Sequence, residues 1–110
     1  MRRATGITLS LSLLAALGAR ALAPKQRRVS IDEMKFNPAT VDVTVGESVR
    51  WTNDDQRDHT VSAADGSFKS GNLRSGDSFE HTFKKAGTFS YACSYHPRMK
   101  GTVNVSGEER

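Results

Sequence analysis

From Val29 onward the apolar residues of this chain recur at every second position, in short runs that turn residues cut off. Val41-Asp42-Val43-Thr44-Val45 is the cleanest run, closed by Gly46-Glu47. Val29-Ser30-Ile31 precedes it, Phe36-Asn37-Pro38 marks a break, and Ser48 to Thr52 follows around Val49 and Trp51. Ser78 to Phe83 alternates again, Lys84-Lys85-Ala86-Gly87 turns it into Thr88 to Tyr91, and Gly101 to Val105 is the last run. Asp65-Gly66 and Ser70-Gly71-Asn72 supply turn chemistry in a long connection between them. A period of two gives each segment one face for a core and one for water. No segment after residue 24 keeps a helical period. Six or seven strands at roughly 8–12-residue spacing predict one all-β domain, an antiparallel β-sandwich with Greek-key connections.

The first two dozen residues read differently. Met1-Arg2-Arg3 is a positive start, Ile7 to Leu17 is apolar, and small residues follow, which is a secretory signal pattern. The apolar stretch is too short to span a bilayer. Residues 1–23 are therefore expected to be a signal peptide and 24–110 the domain, opening with a short polar lead-in from Pro24 to Arg28. Cleavage is expected after Ala21 or after Ala23, where Pro24 makes a poor substrate bond. Arg2-Arg3 invites a twin-arginine reading, with nothing else in that region to support it. The signal holds no cysteine, so a lipoprotein anchor is excluded. Removal of Arg2, Arg3 and Arg20 takes 16 basic residues to 13, against 12 acidic ones, a net of +1. The basic balance is partly a targeting signal, and without a basic stripe or aromatic platform it implies no nucleic-acid partner.

One cysteine in an exported domain is unusual, because small secreted domains are commonly stapled by disulfides. An odd thiol is intermolecular, reactive or occupied. Its neighbours favour occupancy. Cys93, His96 and Met99 fall within seven residues, between a strand ending near Tyr91 and one starting at Gly101. Thiolate, imidazole and thioether together suit copper, and His59, 34 residues before Cys93, offers a second imidazole. Three strong donors with a weak axial thioether form the ligand signature of a blue-copper electron-transfer site. His81 is the competing imidazole, but it stands mid-strand between Phe79 and Phe83, where a packed histidine is the simpler reading. Met34 and Trp51 read as core, and Lys84-Lys85 as a solvated hairpin tip.

Over nearly the whole exported part the chain resembles the cupredoxins, the small blue copper proteins. The resemblance rests on Cys-x2-His-x2-Met with His96-Pro97 inside it, closest to amicyanin- and plastocyanin-type members. It extends to Met34 through Pro38, Val41 through Trp51, and Ala86 through Tyr91. It implies one copper ion, with His59, Cys93 and His96 as equatorial ligands and Met99 as the axial one. It also implies electron passage through the His96 ring edge, where a periplasmic redox partner would dock. Three departures stand out. Thr60 replaces an asparagine that ties the ligand loops together, Tyr95 replaces a proline before the second histidine, and Arg98 stands where relatives are often apolar. With Lys100 and Arg57, Arg98 would make the docking face mixed rather than purely hydrophobic.

The expected function is that of a monomeric periplasmic one-electron carrier without a membrane anchor and without enzymatic activity. A copper-delivery protein is the alternative, but it would favour exposed Met- and His-rich clusters, which the chain lacks. A multicopper enzyme would need further histidines in His-x-His pairs, and only three histidines exist.

Overall fold

The computed structural model describes residues 25–107; the expected signal peptide lies outside the described residues. Eight strands follow one another: β1 (Gln26–Asp32), β2 (Lys35–Asn37), β3 (Thr40–Thr44), β4 (Ser48–Asn53), β5 (Ser62–Ala63), β6 (Ser78–Thr82), β7 (Gly87–Ala92) and β8 (Lys100–Ser106). They form two four-stranded sheets, ordered β2-β1-β4-β6 and β3-β8-β7-β5, with no helix among the described residues.

The expectation of an antiparallel sandwich needs correcting, because both sheets are mixed. β1 runs parallel to β4, with Val29 opposite Trp51, and β3 runs parallel to β8, with Val41 opposite Val103. The cause is the route of the chain. After the β1–β2 hairpin it crosses to the second sheet as β3, and only then returns as β4 beside β1. Parallel neighbours require such a crossover, whereas a tight hairpin always returns antiparallel. The lead-in is also more ordered than its polarity implied, since Gln26, Arg27 and Arg28 pair with Ser48, Val49 and Arg50.

Alternation translates directly into burial. β3 buries Val41 and Val43 and exposes the residues that alternate with them, and β8 buries Val103 and Val105 with half-buried Thr102 and Asn104 alternating. Val29, Ile31, Val49 and Trp51 face them from the other sheet. Trp51 is fully buried, stacked between Phe68 and Phe79 at 5.7 Å each, with Tyr91 edge-on at 5.4 Å. Aromatic arrangements of this kind contribute roughly 0.5–1.5 kcal/mol per pair beyond area burial.

Two local features position the loops at one end. Glu33 and Met34 have φ of 51° and 61°, and Asp32 pairs with Lys35, so a two-residue turn with left-handed central residues closes the β1–β2 hairpin. Gly101 lies opposite Tyr91 across the β7–β8 pair, and a Cβ there would overlap the Tyr91 ring. Only glycine lets β8 pass that ring directly after the Cys93–Met99 loop.

Candidate metal centre

β7 ends at Ala92, and the chain turns at once. The Cys93 N–H donates to the Met99 carbonyl (3.1 Å), the His96 N–H to the Cys93 carbonyl (3.3 Å), and the Met99 N–H to the His96 carbonyl (2.8 Å). These bonds curl Cys93–Met99 into a closed loop and direct the chain back into β8. Cys93 and Met99 are buried, while His96 is half-exposed at the surface.

His59 arrives from the β4–β5 connection. Its backbone exchanges both hydrogen bonds with Leu73, at 3.0 and 2.8 Å. The fully buried Asn53 shapes the loop before it, donating to the Arg57 and Leu73 carbonyls and accepting from the Asp55 N–H. His59 is fully buried, its Nε2 lying 2.9 Å from the Asp55 carboxylate. A carboxylate there places the ring proton on Nε2 and leaves the Nδ1 lone pair free. That Nδ1 faces the Cys93 Sγ at 3.8 Å, and the His96 Nδ1 lies 3.6 Å from the same sulfur. The three donor atoms all fall within 4.8 Å of one another.

Donors bound about 2.0–2.3 Å from one ion stand roughly 3–4 Å apart, and the sulfur here lies 3.8 and 3.6 Å from the two imidazole nitrogens. One thiolate, two imidazoles and a neighbouring thioether suit copper better than zinc or a hard cation, and the cluster fits a single copper ion. Burial pushes the Cys93 thiol up. The Thr60 and Tyr95 N–H groups and the two imidazoles beside the sulfur more than offset it and bring the thiol down to about 6. The pocket therefore favours the thiolate, the form in which sulfur binds metal.

The structure brings His59, Cys93, His96 and Met99 to one end of the sandwich and leaves His81 elsewhere. His81 sits in β6 opposite Val49, stacked on Phe68 at 4.9 Å and edge-on to Phe83 at 4.7 Å. Thr60 does more than its hydroxyl alone implied. Its backbone N–H donates to Cys93 Sγ (3.4 Å) and its Oγ1 accepts from the Ser94 N–H (2.7 Å). Ser62 closes a ring of hydroxyls, 3.3 Å from Thr60 Oγ1 and 3.0 Å from Ser94 Oγ.

Asn53 and two further supporting residues, Asp55 and Asn72, escaped the sequence reading. Asp55 accepts from the Met34 N–H (3.2 Å) as well as facing His59, tying the β1–β2 turn to the buried imidazole. The hydrogen bond from His59 holds the Asp55 carboxyl below its ordinary range, against the opposing effect of burial. Asn72 accepts from the Tyr95 hydroxyl (2.8 Å) and donates to Asp58 (3.1 Å), strapping the Cys93–Met99 loop to the His59 side. Met34, read as core, packs against it only in part and also lines a groove beside His96. The available signal was positional: Asp55 precedes His59 by four residues within a polar run.

The cupredoxin-like domain family matches residues 6–105. Amicyanin-alpha of Methylorubrum extorquens is 36% identical over 110 residues, spanning 86% of this chain and 88% of that protein. Amicyanin of Paracoccus denitrificans is 33% identical over 82 residues, 70% of this chain and 63% of its own length. Among solved structures, a purple cupredoxin from Nitrosopumilus maritimus superposes with a TM-score of 0.68 at 33% identity, covering 73% of this chain and 99% of that one. A reduced Trp-to-Tyr variant of amicyanin reaches 0.70 at 29% identity, covering 80% and 89%.

Proposed function

The chain belongs to the cupredoxin-like domain family, and from that premise we propose that it is a soluble, monomeric, periplasmic one-electron carrier of the amicyanin type. His59, Cys93 and His96 are the equatorial ligands of one copper ion and Met99 the axial one. Bound copper in such a ligand set alternates between Cu(I) and Cu(II) and thereby carries one electron.

The observation that carries this reading is the convergence of two imidazole Nδ1 atoms on one buried sulfur, at 3.8 and 3.6 Å. The protein contributes rigidity. Asp55 fixes the His59 ring, Thr60 and Ser94 bind the two ligand loops to each other, and the loop hydrogen bonds hold Met99 against His96. A site held this way changes little between oxidation states, which is what rapid electron transfer needs. Burial of Cys93 and His59 argues against copper delivery, where a receiving protein must reach the ligands. Half-exposed His96 is the exit for the electron, and a redox partner docks around it.

Residues 1–23 are the signal peptide and 24–110 the carrier domain. No helix among the described residues is long and apolar enough to cross a membrane. A reductive titration of the copper-loaded exported protein tests the reading. One electron per chain, reversibly, is expected; a redox-silent complex or a two-electron process contradicts it. Mass spectrometry of the exported protein should find Leu22 or Pro24 at its N-terminus, and an intact leader contradicts the export assignment.

A further inference from the structure

Two shallow grooves of about 450 and 230 Å³ adjoin each other at the copper end. The first is walled by Met34, Tyr95, His96, Pro97, Arg98 and Met99. The second shares Met34, Arg98 and Met99 and continues to Lys35, Phe36 and Lys100. Lys35, Arg98 and Lys100 are all exposed. Among the described residues none of the three makes a salt bridge, and no carboxylate lines either groove. Arg50, by contrast, has its Glu80.

Tyr95 completes the surface. It is the exposed large hydrophobic residue of the described chain, at 51% exposure, and stands edge-on to His96. Its hydroxyl is held by Asn72, so the ring is fixed in place and little side-chain freedom remains to be lost on binding. A rigid aromatic with an apolar floor is the usual centre of a protein interface, and charges around it steer approach.

We propose that this surface docks an electron-transfer protein whose own docking face carries carboxylates around an apolar centre. Tyr95, Pro97 and the His96 edge form the contact, and Lys35, Arg98 and Lys100 form a cationic arc along one side. The inference rests on the electron-carrier reading and adds to it the chemistry of the partner. Three unpaired cations in an arc raise the local concentration of an acidic partner and orient it with its redox centre toward His96. In the transfer itself one electron leaves the reduced protein, Cu(I) becoming Cu(II), and reduces the partner's oxidised one-electron centre; when a cytochrome serves as the probe, haem Fe(III) becomes Fe(II).

The test compares the copper-loaded, reduced protein against two c-type cytochromes of similar potential, one strongly acidic and one strongly basic, in stopped flow. The acidic cytochrome should react faster, with a rate that falls as salt is raised. Lys35→Glu/Arg98→Glu should slow it roughly tenfold and speed the basic one. Tyr95→Ala should slow both. Hexacyanochromate(III), a paramagnetic trianion, should broaden the amide signals of Lys35, Arg98 and Lys100 first. Equal rates with the two cytochromes, a faster basic one, or broadening centred on Arg27 and Arg28 instead, would overturn the proposal. Failure of the copper reading looks different: the loaded protein then lacks a reversible copper couple, and neither cytochrome is reduced.

Discussion

The backbone N–H of Thr60 points at the Cys93 sulfur from 3.4 Å, across 33 residues of sequence. The same residue's hydroxyl holds the Ser94 N–H at 2.7 Å, so one threonine grips the cysteine loop on both sides of the thiolate. A hydrogen bond to the sulfur withdraws electron density and favours the reduced metal, which makes Thr60 a determinant of potential. Thr60→Val keeps the shape and the backbone N–H but removes the hydroxyl that ties Ser94 to the His59 loop. The cysteine loop then loosens and the N–H···S contact lengthens. The substitution is expected to lower both the reduction potential, read by voltammetry, and the stability, by about 1 kcal/mol. Thr60→Ser should keep both near wild type. An unchanged potential in Thr60→Val contradicts this role.

Asp55 orients His59 without touching the metal. Asp55→Ala leaves the buried Nε2–H without an acceptor and frees the ring, so copper affinity should fall about 10–100-fold in a chelator competition. Asp55→Asn keeps an accepting oxygen and should lose less. Equal affinity in wild type and Asp55→Ala contradicts the orienting role.

His81 gives the fold a pH dependence away from the copper. Desolvation against Phe68 and Phe83 lowers its folded-state pKa below the ordinary 6.5. The unfolded chain therefore binds the proton more readily. The stability that the neutral ring provides is complete above about pH 6.5, and falls as pH drops from there toward the folded pKa. His81→Phe should flatten that part of the profile. A thermal-unfolding series on both proteins from pH 7.5 to 5 checks it, and parallel curves contradict it.

Much of this arrangement was legible in the chain, because alternation reports which face of a strand is buried. β3, β4, β6, β7 and β8 all coincide with alternating runs. Alternation says nothing about strand direction, so the parallel β1–β4 and β3–β8 pairs were invisible. β5, only Ser62–Ala63, is too short to show any period. At the site, Cys93, His96 and Met99 are local and could be read together. His59 was separable from His81 because a loop histidine can converge on a loop cysteine, whereas a mid-strand one packs. Asp55, Asn53 and Asn72 were hidden because polar residues in a polar loop look alike until the fold selects which are buried or bonded.

The spectrum of the Cu(II)-loaded protein and its Cys93→Ala, His59→Ala and His81→Ala variants tests the copper site most directly. An intense visible band from thiolate-to-copper charge transfer is expected, bleached reversibly by ascorbate. It should be absent in Cys93→Ala, lost or strongly altered in His59→Ala, and unchanged in His81→Ala. A colourless wild-type complex, colour that survives Cys93→Ala, or loss of the native band only in His81→Ala would contradict the assignment.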